Sequence, residues 1–363
     1  VHVLLVEPWY GGSHRAWADG LVAHSAHDVR LLTHVDRFWR WRTHGAAVTL
    51  AAEVEVHVAA HGRPDVLLVS TMVDLATLLG LTRHVLADVP VVHDVHESQL
   101  LVPAAEGRTP DRDAALVGWR NLVAADVAVF HTAHHRDALL EALPSFLRSF
   151  PDRQHVDLVP EVAGKSAVVA MGLDADALAA AGRGADDGPP IVLWNHRWEH
   201  DKDPAAFVAA VLAVDELGVP LRVALAGERP VEDPPWLADL ERRLGARLLH
   251  RGGLDRGEYE ALLRRSDVVV STARHELFGV AVCEAAAAGA APVLPDRLSY
   301  PEVLPSSARY EDHGGLVDAL ARLLEDPHER ARVAAACQAE AARFDWSAVA
   351  PQHDALLERV VGG

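Results

Sequence analysis

The sequence has 363 residues, half of them hydrophobic, enough for two packed domains of ordinary size. Its net charge of −18 is spread over both halves: residues 1–175 carry 14 lysines and arginines against 21 acids, and residues 176–363 carry 20 against 31. A globally basic nucleic-acid binder is thereby excluded, and the lack of any long uncharged apolar run gives no reason to expect a membrane span.

Val1 to Glu7 lacks the basic start of a signal peptide and contains a short apolar strand, Val3–Val6. A glycine turn at Gly11-Gly12 then leads into a helix near His14–His24. Further apolar runs at Val66–Val69, Val89–Val92 and Val127–Phe130 read as strands, each followed by a helical pattern. His131, His134 and His135 match metal-ligand spacing only weakly, and the 22 scattered histidines are read as exposed or hydrogen-bonded rather than as a metal site. Residues 1–175 are expected to form one domain and 176–190, with Asp186-Asp187-Gly188-Pro189-Pro190, a linker.

The alternation restarts over 191–344, the expected second domain. Strands are expected at Ile191–Trp194, Leu221–Ala226, Arg247–His250, Val268–Ser271 and Pro292–Pro295. Helices near Ala205–Leu217, Trp236–Leu244, Glu258–Arg264 and Phe278–Ala288 fill the gaps. Cys283 and Cys337 sit in alanine-rich helical stretches, which suits a reducing cytoplasm and no disulfide. The tail from Gly315 is mostly helical, and 345–363 is a last helix that could return to the first domain. Strands alternating with helices define an α/β chain of two doubly wound parallel sheets, which bind ligands at the carboxyl ends of their strands.

Four motifs fall at such ends. Tyr10-Gly11-Gly12-Ser13-His14 follows the first strand; its glycines admit close approach of backbone to a phosphate or sugar, although the dinucleotide spacing G-x-G-x-x-G is absent. His93-Asp94-Val95-His96-Glu97-Ser98-Gln99 bunches polar groups suited to sugar hydroxyls or proton transfer. Trp194 to Pro204 carries Arg197 and Lys202, two cations able to hold a diphosphate as leaving group where no divalent metal is evident. His275 to Glu284 places Glu276 in a loop, Gly279 at a helix start and Glu284 within the helix, with free backbone N–H groups for an anion. The bland alternatives are tight turns, surface ion pairs and helix-start carboxylates.

The chain resembles the retaining GT-B glycosyltransferases of glycosyltransferase family 4, and within them the tRNA-queuosine mannosyltransferases. The resemblance rests on Glu7 to His14, Trp39-Arg40-Trp41-Arg42, His96 to Leu100, His196 to Pro204, Ser271 to Val280 and Tyr300-Pro301-Glu302, and spans nearly the whole chain. It implies two facing Rossmann-like domains with a cleft between them. It implies a nucleotide-sugar donor, GDP-mannose, with no cofactor or metal, and transfer of mannose to the cyclopentenediol of queuosine in tRNA. Arg197 and Lys202 would hold the diphosphate and Glu284 the ribose. Glu276, with backbone N–H groups of Leu277, Phe278, Gly279 and Val280, would position the sugar. His96 would lie beside the sugar and Gly11-Gly12 beside the phosphates or acceptor. Ser13, His14, Glu97 and Gln99 fall on the acceptor side, where Arg37, Arg40 and Arg42, interleaved with Trp39 and Trp41, form a local patch for tRNA phosphates and unpaired bases. The family's H-E-N-Q reads His96-Glu97-Ser98-Gln99 here, and its W-x-W-R-A-R ends in Thr43-His44, so the match is closer on the donor side. A lipid, polysaccharide or secondary-metabolite acceptor, or a silent nucleotide-sugar-binding module, are the alternatives.

Overall fold

The computed structural model describes residues 1–103, 109, 111–184, 186–230 and 232–362, and the chain divides into two compact units. The first comprises Val1–Gly172 together with Trp346–Gly363, the second Leu173–Asp345. The stretch 176–190, expected as a linker, belongs to the second unit. Its first residues form a helical turn, and Asp186 is ion-paired to Arg222 and Arg265 of that unit.

The first unit is built on a six-stranded parallel sheet in the order β2-β1-β3-β4-β5-β6. Its strands are β1 (His2–Tyr10), β2 (Asp28–Val35), β3 (Val66–Val69), β4 (Val91–Val95), β5 (Val127–Phe130) and β6 (Ser166–Val168). The helices are α1 (Gly12–His24), α2 (Trp39–His61), α3 (Leu75–Leu86), α4 (Arg112–Ala124), α5 (Ala133–Arg148) and α6 (Val159–Gly164). Val3–Val6 and Val66–Val69 are fully buried because helices cover both faces of a parallel sheet, which is why these strands read as continuous apolar runs. Side-chain caps fix several helix starts: Asp74 accepts from Thr77 N, Asp111 from Ala114 N and Thr132 from His135 N.

The second unit repeats the plan in the order β12-β11-β10-β7-β8-β9, also parallel. It contains α7 (Ala175–Ala180), β7 (Ile191–Trp194), α8 (Pro204–Glu216), β8 (Arg222–Ala226), α9 (Pro235–Leu244), β9 (Leu248–Gly252) and α10 (Arg256–Arg265). It continues with β10 (Val268–Val270), α11 (Val280–Ala287), β11 (Ala291–Pro295), α12 (Tyr300–Val303), β12 (Arg309–Tyr310), α13 (His313–Glu325) and α14 (Pro327–Ala341). The strand order reverses between β1 and β3 in one sheet and between β7 and β10 in the other. At such a switch point two neighbouring loops diverge and leave a crevice for ligand.

The last helix, α15 (Trp346–Gly362), belongs to the first unit. Its Trp346 ring lies where a Cβ on Gly20 or Gly172 would stand, so both positions must lack a side chain, and it stacks on His24. Asp354 of the same helix accepts from Ala26 N and Ser25 Oγ.

Candidate functional site

In the second unit the loops after β7 and β10 are tied to each other. Trp194 Nε1 donates to Thr272 Oγ1, which donates to the carbonyls of Lys202 and Asp203. Asp201 O accepts from the backbone N–H of Arg274 and His275. Gly227, after β8, lies so close to the His196 carbonyl that a Cβ there would overlap it. These contacts hold the 196–203 loop against its neighbours on both sides.

The same loops bring Lys202 and Glu276 together. Lys202 Nζ donates to His275 O at 2.7 Å and stands 3.3 Å from both Glu276 Oε2 and Asp201 Oδ2. Its side chain is only 11% exposed, yet burial is outweighed by the two carboxylates and its pKa is raised. Burial would raise Glu276, but the charge and hydrogen bond of Lys202 hold it below the ordinary value. Burial and the Lys202 charge push His196 down to about 4, so it is neutral. Arg197 is 59% exposed and 3.3 Å from Glu199, and its charge, like that of Lys202, acts on His196.

Glu284 occupies a second cluster. Arg256 Nη1 donates to its Oε1 at 2.6 Å and Tyr259 Oη to its Oε2 at 3.3 Å, while Asn195 Nδ2 donates to Tyr259 Oη. Burial raises the Glu284 carboxyl against the pull of Arg256. Asn195 immediately precedes the 196–203 loop, so this network links α11 to that loop. Arg256 and Tyr259 were not singled out from sequence. Their signal was an arginine and a tyrosine three apart at the start of the helix preceding β10. Gly279 has φ +102°, a conformation closed to most side chains, and α11 therefore begins at Val280 rather than at Phe278 as expected. Leu277 N–H turns onto Glu276 Oε1 at 3.2 Å.

In the first unit the motif loops gather imidazoles. β4 extends past Val92 through buried His93 and Asp94, and His96 follows it. His96 Nε2 is 3.0 Å and His131 Nε2 2.8 Å from the same atom, Asp94 Oδ1. His14 stacks on His96 at 4.5 Å and Trp17 meets it edge-on at the same distance. His14 Nδ1 is 3.2 Å from Glu7 Oε2 and its Nε2 3.5 Å from Glu97. Burial opposes the charge on His14, but Glu7 and Glu97 together raise it to about 10. Burial and the His14 charge lower His96. His353 of α15 is also buried and is lowered to about 4, chiefly by burial. Histidines far apart in the sequence are thus brought together by folding: His14, His96, His131 and His353.

Of the other first-unit residues, Gly11 leaves room for the Asp36 side chain, whereas a Cβ on Gly12 would meet nothing and its φ is +51°. Ser13 is exposed on the first turn of α1. Gln99 Nε2 donates to Glu97 at 3.3 Å, and both line a cavity of about 50 Å³ with Thr71, His93 and Ser98. Arg37 and Arg40 are exposed; Arg40 reaches Asp111 at 2.9 Å and lies over the Trp39 ring. Arg42 turns to His34 at 3.2 Å. Trp41 is 67% exposed, and Phe38, unremarked in the sequence, is exposed beside it. A separate cavity of about 880 Å³ is lined by the starts of β4, β5 and β6, at the opposite end of the sheet from the motifs.

Two six-stranded parallel sheets, each with loops at its switch point, are the ground plan of the GT-B glycosyltransferases. The structural likenesses agree on the fold. Sucrose-phosphate synthase from Thermosynechococcus elongatus superposes with a TM-score of 0.75 at 16% identity, covering 100% of both chains. Anabaena HepE in complex with UDP and glucose gives 0.68 at 15% identity, covering 99% of this chain and 100% of that one. Residues 179–339 match the family model for glycosyl transferases group 1, and residues 2–173 match that for the tRNA-queuosine alpha-mannosyltransferase N-terminal domain. The tRNA-queuosine alpha-mannosyltransferase of Drosophila melanogaster is 30% identical over 328 residues, 88% of this chain and 86% of that protein. A glycogen synthase of Mycobacterium tuberculosis is 32% identical over 191 residues, 50% of this chain and 46% of that protein. The chain belongs to the tRNA-queuosine alpha-mannosyltransferase family. Among the described residues no helix is long and apolar enough to cross a membrane.

Proposed function

We propose that this chain transfers mannose from GDP-mannose, with retention of the α configuration, to the cyclopentenediol of queuosine in tRNA. The observation that carries this reading is the match to the Drosophila enzyme across both units at 30% identity. The second-unit site supports the donor chemistry. Lys202 is buried and held between Glu276 and Asp201, so its charge is fixed in place before any substrate arrives. We assign Lys202 and Arg197 to the diphosphate, Glu284 to the ribose hydroxyls, and Glu276 with the backbone at 277–280 to the sugar. His96 is assigned to a substrate hydroxyl, and Arg37, Arg40 and Arg42 to tRNA phosphates.

Retention follows from attack on the face the nucleotide leaves. The acceptor oxygen forms a bond to the anomeric carbon as the bond to the diphosphate breaks. The acceptor proton passes to a donor phosphate oxygen, and Lys202 with Arg197 stabilises the departing GDP. The test is mass spectrometry of nucleosides from queuosine-containing tRNA incubated with protein and GDP-mannose. A gain of one hexose on queuosine is expected. Hydrolysis of GDP-mannose with queuosine unchanged would assign another acceptor.

A further inference from the structure

We propose that Asp94, His96 and His131 form a binding site for one divalent transition-metal ion of the class represented by zinc. The three side chains come from the ends of neighbouring strands β4 and β5, and their donor atoms lie within 4.8 Å of one another. All three side chains are at most 4% exposed. Two imidazole nitrogens and one carboxylate oxygen are the borderline ligand set that suits zinc and its neighbours, and three protein ligands with one open position is the usual form of a non-structural zinc site.

Geometry separates this arrangement from a plain histidine–aspartate ion pair. The two nitrogens stand 2.8 and 3.0 Å from Asp94 Oδ1, yet neither meets the directional requirement of a hydrogen bond, and Asp94 Oδ1 and Oδ2, His96 Nε2 and His131 Nε2 are all buried without one. A buried carboxylate in that position is costly unless a cation satisfies it. The ring centres of His96 and His131 are 5.0 Å apart. Two imidazoles sharing one tetrahedral ion through nitrogens at about 2.0 Å sit about 5 Å apart. Two rings donating straight hydrogen bonds to one oxygen would sit wider, about 6 Å or more. Ligand atoms around such an ion are about 3.3 Å apart, so the two nitrogen–oxygen separations of 2.8 and 3.0 Å need to open by only a few tenths of an ångström.

The surroundings support ligation. His131 Nδ1 is 3.0 Å from the Val169 carbonyl, the outer contact that fixes a ligating imidazole with its Nε2 lone pair turned inward. The other nearby trio, Glu7, His14 and His96, is less suited, because His14 and Glu7 already hydrogen-bond each other. Ligation of His96 through Nε2 leaves its proton on Nδ1 and makes that atom a fixed donor.

The readout does not depend on the transferase activity, so the site and the proposed reaction stand or fall separately. Untagged full-length protein is stripped with a chelator, dialysed, and titrated with Zn²⁺ by calorimetry, with elemental analysis of the product. One ion per chain is expected, with a dissociation constant below about 1 µM, equivalent to roughly 8 kcal/mol. Asp94→Asn and His131→Gln should each weaken binding at least about a hundredfold, the upper end of what outer-contact changes produce. His328→Gln, an exposed histidine of the other unit, should not alter it. Co²⁺ added to the unmodified protein should give the intense visible bands of a four- or five-coordinate ion, a test that needs no variant to fold. Less than stoichiometric Zn²⁺, weak octahedral Co²⁺ bands, or unchanged binding in both folded variants would overturn the proposal.

Discussion

In the second unit the loops at the strand ends are organised by lysine and arginine paired with carboxylates: Lys202 between Asp201 and Glu276, Arg256 on Glu284, Arg197 beside Glu199. In the first unit the corresponding loops gather imidazoles around carboxylates, with His14 between buried Glu7 and half-buried Glu97 and His96 and His131 on buried Asp94. The sheets are alike, so the strand ends alone do not dictate the chemistry. Permanent charge suits a diphosphate, whose own charge persists at all physiological pH. Imidazoles suit hydroxyl groups and metal ions, where the position of one proton or lone pair decides the interaction.

The sharpest way to break this comparison is at Lys202. Lys202→Ala should lower kcat about a hundredfold or more, the scale of losing one preorganised charge donor, and Arg197→Ala should do likewise. Losses of tenfold or less in both variants, measured by steady-state transfer from GDP-mannose, would remove the role assigned to them. Lys202→Ala also strands Glu276 without its partner, so its melting temperature should fall as well, whereas Arg197→Ala, at an exposed position, should leave it nearly unchanged. Next in size, Glu284→Gln should raise the donor KM about tenfold and change kcat little, as loss of a charged hydrogen bond in uniform binding requires. Equal falls in kcat and kcat/KM would instead place Glu284 in the transition state.

Replacing Arg37, Arg40 and Arg42 together should weaken tRNA binding severalfold and flatten its salt dependence by about one unit for each phosphate no longer neutralised. Arg40, already paired with Asp111, should contribute least. An unchanged slope would reject the patch. The smallest effect concerns proton uptake. His196 and His353 are lowered to about 4 in the fold, so each binds a proton near pH 6.5 only when unfolded. Their contribution to stability is full above pH 6.5 and is lost as pH falls toward 4. The melting temperature should drop by about 5 °C or more across that window, and His353→Gln should shrink the drop. A flat profile would show that neither ring is held neutral.

The central strands were legible in the sequence because burial on both faces demands unbroken apolar runs: Val66–Val69, Val127–Phe130 and Ile191–Trp194 were located to the residue. Three strands were not seen, β2, β6 and β12, and each lies at the edge of its sheet. An edge strand is covered less, and Asp28–Val35 accordingly mixes charged and apolar residues with a half-buried pattern. The end of β4 was missed for another reason: His93 and Asp94 are buried but polar, the signature of a strand end given over to chemistry. Lys202 and Glu276 were legible as motif residues, since each follows a strand of its own. The Asp94, His96 and His131 grouping was not, because its members are linked by the pairing of β4 with β5 rather than by any spacing along the chain.

The first unit is made of two pieces of sequence, and this has a consequence for biosynthesis. A ribosome releases residues 1–172 and then the entire second unit before Trp346 emerges. At about 5–20 residues per second, the earlier piece waits on the order of ten seconds or more for its last helix. During that interval the space beside Gly20 and Gly172 lacks its indole, and the histidine cluster lacks His353. Of the two units, the one begun first is therefore the one completed last, and a nascent chain halted before Trp346 would expose apolar surface that a holdase chaperone can bind.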